Sequence, residues 1–192
     1  MSFRKLVQYT SQMSQFPVPV DDVRKWLIDN AIQDVIDLFP VDMDPKIVRG
    51  SYRRFIVRDA MYGDQQRITH ILHAETLNFC WTRFVCCKEM VHAFDQDEQM
   101  ARDRELASDL ITMLVGPAGA QNAIPQVASD HTAQIKALMV LAPLNIVNQL
   151  KPAYLDESKS PHDIALFLRI PEAYISYLMS DHFPKACGIL TR

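Results

Sequence analysis

Between Phe79 and Phe94 the chain reads FCWTRFVCCKEMVHAF, and no other stretch constrains the fold as much. Read as a helix, it carries Phe84, Val85, Met90, Val91 and Phe94 around much of its circumference. A helix that is apolar on most sides has to be buried on most sides, so other elements must enclose it. The same segment holds Lys88, Glu89 and His92, and a charge taken out of water must find a partner. The spacing therefore predicts a buried helix on which Lys88, Glu89 and His92 need partners wherever they are buried.

The rest of the chain supplies the enclosing elements. Leu6, Tyr9 and Met13 recur at helical spacing over 3–15. FPVPV at 16–20 breaks the chain, and Asp21 or Asp22 is placed to cap a helix to about Ala31. FPVDMDP at 39–45 reads as a second break. Residues 50–59 and 67–74 alternate like strands around the turn residues of 61–66, which predicts a β-hairpin. A helix carrying Leu106, Leu110, Met113 and Leu114 is expected to stop at Gly116-Pro117. After a loop at 118–129, Asp130 is expected to cap a long helix to about Leu150, bent at Pro143. Ser160-Pro161 with Asp163 looks like a capped start, and Pro171 opens one more short helix. Strands followed by packed helices predict an α+β fold, a small antiparallel sheet against several helices. A chain of 192 residues favours a single domain over 1–192, with its core at about 20–150 and a closing helix pair at about 160–182.

Composition narrows the partners. A net charge of -3 gives no general attraction to nucleic acid or anionic membrane. The tail DIALFLRIPEAYISYL has helix-turn-helix spacing, but residues 171–184 hold no Lys or Arg, so direct nucleic-acid reading is not expected of it. The apolar run 137–147 is too short to span a bilayer. Four cysteines, two of them adjacent, fit reduced thiols in a cytoplasmic protein better than a disulfide framework.

On a helix, Lys88 and His92 are neighbours at i and i+4, with Glu89 beside them. The spacing is that of H-E-x-x-H, in which two histidines bind zinc and the glutamate takes a proton from metal-bound water. Lysine replaces the first histidine, and a protonated ammonium has no lone pair to offer a metal. His70 or His73 on the preceding strand, or Asp95, is a candidate substitute ligand. Plainer readings stand beside this one: a hydrogen-bonded core histidine, a surface Lys-Glu pair, a solvated helix-start Glu105, or a structural protein with no site. A di-iron site needs a second E-x-x-H, and the chain has none.

The frame around this near-signature resembles the ImmA/IrrE-type metallopeptidases. Arg83-Phe84, Glu89, His92, Ala107, Leu114 and Pro117 fall in register with that family, and 162–179 is similar to its closing helix pair. The resemblance covers about 50–180 and implies a minimal zincin-like domain. It implies Glu89 as catalytic general base, His92 and Glu105 as zinc ligands, and a regulatory role acting on a protein substrate or partner, such as a transcriptional regulator. The Lys88 departure puts zinc and hydrolysis in question. The alternative is a pseudo-peptidase that binds a partner without cutting it, with the Lys88 ammonium pairing Glu89 and Glu105 in place of the metal charge.

Overall fold

A computed structural model describes residues 2–32, 34–58, 65–95 and 125–192. Within them lie the helices α1 (Phe3–Ser11), α2 (Val20–Leu27), α3 (Phe79–Val91), α4 (Pro125–Leu141), α5 (Leu144–Leu155), α6 (Pro161–Leu168), α7 (Ile175–Met179) and α8 (His182–Leu190). Three strands, β1 (Val35–Val41), β2 (Gly50–Arg58) and β3 (Gln65–Ala74), form one sheet in the order β1-β3-β2. The architecture is α+β, and the expected hairpin is present as the antiparallel pair β2-β3.

The sheet is not purely antiparallel, because β1 joins β3 in parallel. This strand runs through Phe39-Pro40, where the sequence suggested a break. Proline lacks an N–H and is tolerated on a strand with one unpaired edge, which β1 has. One face of the sheet carries the rows Ile36-Thr69-Arg54, Leu38-Ile71-Tyr52 and Pro40-His73-Gly50. Thr69 and Ile71 are fully buried, so this is the inner face. The outer face carries Val35, Phe39, Phe55 and Val57, all exposed, with the His70 ring edge-on to Phe39 and to Phe55.

The central helix is enclosed as its composition requires. β2 and β3 lie on one side of α3, α4 lies on another, and α2 also packs against it. Eight consecutive positions make the point: apart from Lys88, every residue from Arg83 to Met90 is buried. Burying one Phe or Met side chain contributes about 1.5–3 kcal/mol, so Phe84 and Met90 anchor the packing.

Other boundaries follow local chemistry. Asp21 and Asp22 lie in the first turn of α2 and do not cap it; the cap position is Pro19, and Asp21 pairs with Arg24 at 3.0 Å. The helix expected from Asp130 to Leu150 is two helices. Pro143 has no N–H to continue the ladder and stands at the N-terminal boundary of α5. Asp130 lies inside α4, not at its cap. Ser160 does cap α6, in a reciprocal arrangement with Asp163. Pro171 precedes a single 3-10 turn at Glu172–Tyr174 that leads into α7. The last helix, α8, buries Phe183 and Cys187 and has no counterpart in the sequence reading. The helix expected over 106–116 lies outside the described residues, as does Glu105.

Candidate functional site

The C-terminal end of α3 meets the first half of α4 in a buried ionic cluster. The Lys88 ammonium lies 2.8 Å from Glu89 Oε1 and also bonds the Asp130 carboxylate. His92, at the C-cap of α3, donates from Nδ1 to Asp95 Oδ2 at 2.5 Å. Its Nε2 is 3.9 Å from both Glu89 Oε2 and Asp130 Oδ1. Asp95 also accepts from Ser129 Oγ at 2.5 Å and from Lys136 Nζ at 3.2 Å. Among the described residues, three carboxylates thus face Lys88, His92 and Lys136, and these charges balance when His92 is protonated.

Small residues make this meeting possible. Ala133 and Ala137 of α4 are fully buried, and the Cys87 thiol reaches the Ala137 carbonyl at 3.9 Å. Without bulk at those positions, α4 comes near enough to α3 for Asp130 to touch Lys88. Gly50 does the same from the sheet. A Cβ there would stand 2.3 Å from Val85 Cγ1 and 3.0 Å from Glu89 Oε1, so β2 can cross α3 over Glu89 only with glycine at that point. One row further along β2, the Tyr52 ring lies 6.2 Å from the His92 ring.

Burial and pairing compete for each proton. Burial pulls the Lys88 ammonium down, but the Glu89 and Asp130 carboxylates outweigh it and hold Lys88 above the usual lysine range. Burial also opposes the His92 charge; Asp130, Asp95 and Glu89 overcome it and push His92 up to about 9. Burial would raise Asp130 and Asp95, yet Lys88 and His92 hold Asp130 well below the usual carboxylate range, and His92, Ser129 and Lys136 hold Asp95 down. The site is therefore a set of locked charges. Lys88 is neither a nucleophile nor a ligand while it keeps its proton.

The candidates read from sequence separate clearly. Lys88, Glu89, His92 and Asp95 come together. Arg83 instead joins two distant segments, donating from Nη2 to the Val18 carbonyl at 2.6 Å and from Nε to the Arg169 carbonyl at 3.2 Å. Arg169 sits there in a left-handed conformation at φ 52°, which closes α6. His73 shares the inner row with Gly50, its Nδ1 3.3 Å from the Ala74 carbonyl oxygen. His70 points to the outer face. All four cysteines are free, and burial pushes Cys86 up to about 12, so it is an inert thiol.

Asp130, Ser129, Lys136 and Gly50 are the participants that the sequence reading missed. A signal for Asp130 exists: it stands three and seven residues before Ala133 and Ala137, on their stripe of the helix. A second buried carboxylate, Asp34, also went unread; it holds Arg54 Nε at 2.7 Å and accepts from Thr69 Oγ1 at 2.9 Å. Among the described residues, no three His, Cys, Asp or Glu side chains are spaced to hold a metal ion. No helix among them is long and apolar enough to cross a membrane. Compared with known proteins, the chain matches no family model, and no curated protein is significantly similar to it.

Proposed function

We propose that this chain is a pseudo-peptidase of the ImmA/IrrE type, cytoplasmic and regulatory, which binds a protein partner and does not hydrolyse it. The observation that carries this reading is the position of the Lys88 ammonium between Glu89 and Asp130. In the zincin scheme Glu89 would be the general base, but here its carboxylate is committed to a buried ion pair. A base held against an ammonium has no metal-bound water to deprotonate.

A metal ion does not fit this arrangement. The Glu89 and Asp130 carboxylates face a charge that is already present, and a divalent ion beside the ammonium would add repulsion at close range. The chain's own cation pairs with both carboxylates. Removing one member would strand a buried charge at a cost of several kcal/mol, so the pairing ties α3 and α4 to this arrangement.

The partner reading draws support from the outer face of the sheet, where Phe39 and Phe55 flank His70 without cover from any described element. Exposed aromatic surface of this kind suits association with protein more than with nucleic acid. A regulatory protein such as a transcriptional regulator is the class of partner this proposal names.

Metal analysis of the full chain, purified without chelators, tests the reading. Zinc is expected far below one equivalent per chain, with no hydrolysis of unfolded protein substrates. One equivalent of zinc that survives dialysis would overturn it.

A further inference from the structure

We infer that the outer face of the sheet pairs with the same face of a second copy of this chain, about a two-fold axis that runs along β3 through His70. The inference goes beyond the pseudo-peptidase reading: the occupant is the chain itself, and another protein would have to displace it.

The face is apolar on either side of one charged row. Register sets Val35, Ile68 and Phe55 side by side across the three strands, then Asp37, His70 and Arg53, then Phe39, Leu72 and Ser51. Positions two residues apart share a face, so the three rows belong to one surface. In the middle row Asp37 Oδ2 is 3.9 Å from His70 Nε2, and Arg53 stands exposed on the opposite flank. The row therefore has a negative end on β1 and a positive end on β2, with β3 halfway between. The Phe39 and Phe55 rings stand edge-on to His70, with centroids 4.8 and 4.6 Å away, which joins the apolar and charged parts without a gap.

Such a row is self-complementary in one orientation. A two-fold axis along β3 places β1 of one copy over β2 of the other. Asp37 then faces Arg53 of the second copy, and the same contact repeats on the other side of the axis. An arginine side chain and an aspartate together span the ~10 Å between packed sheets. The apolar rows fit in the same way: Phe55 comes over Val35 and Phe39 over Ser51, a larger side chain on a smaller one each time. A two-fold axis across the strands would instead set Asp37 on Asp37 and Arg53 on Arg53, so charge selects the first arrangement. Three strands give a small face, which makes a weak dimer, with Kd on the order of micromolar to tens of micromolar.

Sedimentation velocity of the full chain, up to about 200 µM, tests this. A reversible dimer is expected. Asp37→Arg and Arg53→Asp each bring like charges together at two symmetric places, and each should weaken the dimer about tenfold or more. Both changes in one chain should restore the wild-type affinity. Mixing the two single variants should give a heterodimer tighter than either forms with itself. A wild-type chain that stays monomeric, a dimer that either single variant leaves unchanged, or no recovery in the double variant and the mixture overturns the inference. None of these results bears on zinc content, so the pseudo-peptidase reading stands or falls separately.

A second measurement needs no variant. Carbene footprinting of the wild type should lose labelling at Phe39 and Phe55 as concentration rises, while Leu166 and Phe167, exposed on α6, keep theirs. Protection of Leu166 and Phe167 in place of Phe39 and Phe55, or labelling that is the same at every concentration, overturns the assignment even where a charge variant fails to fold.

Discussion

Two lysine–carboxylate pairs have almost the same length and opposite meaning. Lys88 lies 2.8 Å from Glu89, and Lys151 lies 2.7 Å from Asp181. The side chains of the first pair are 14% and 4% exposed; those of the second are 26% and 87% exposed. Water screens the second pair and solvates either partner when the other leaves, so its distance says little about stability. Water reaches the first pair poorly. Removing one partner there strands a charge, and the strength of the pair is the cost of that stranding.

The comparison can be broken most directly at Lys88. Lys88→Met keeps most of the side-chain volume and leaves Glu89 and Asp130 without the ammonium between them. A loss of about 3–5 kcal/mol in unfolding free energy is expected in urea denaturation. A change as small as that of a surface substitution would mean that solvent enters the cluster and the two pairs are alike.

The next effect in size is a dependence on pH. His92 is raised from its ordinary 6.5 to about 9 in the folded chain, facing Glu89, Asp95 and Asp130 with Lys88 and the Tyr52 ring nearby. A group whose folded pKa is raised contributes its full stability below its unfolded pKa and loses it as pH rises through the folded value. Unfolding free energy should therefore fall between about pH 6.5 and 9, by on the order of 3 kcal/mol at most. Thermal melts across that range should show the slope, and His92→Gln should flatten it. A slope that survives the substitution would assign the effect to another group.

The smallest effect belongs to the exposed pair. Lys151→Ala should leave the melting midpoint unchanged within error, and the small difference that remains should vanish in high salt. A clear drop that persists in salt would show that the α5–α8 region depends on this contact more than its exposure allows.

Much of this frame was legible in the chain itself. The apolar circumference of Phe79–Phe94 required a buried helix, and α3 is that helix. The β2-β3 hairpin and the Ser160 capping box rest on local chemistry that a short window of residues specifies completely. Lys88, Glu89 and His92 were brought together by helical spacing alone. Asp95 was legible only as a candidate substitute ligand, and its hydrogen bond to His92 depends on the chain turning after the helix.

Other features belonged to the tertiary structure. β1 could not be read through Phe39-Pro40, since proline in a strand is acceptable only on an edge, and an edge exists only once the sheet is assembled. Gly50 looks like any glycine before a strand until Val85 and Glu89 are set beneath it.

By itself, the sequence determined that three charged side chains would share one turn of a buried helix and would need partners. It could not say which partners. Lys88 and Asp130 are 42 residues apart, and their meeting depends on Ala133 and Ala137 letting α4 settle onto α3. Local spacing acts over one helical turn, whereas charge compensation in a core is decided by whatever packing brings alongside.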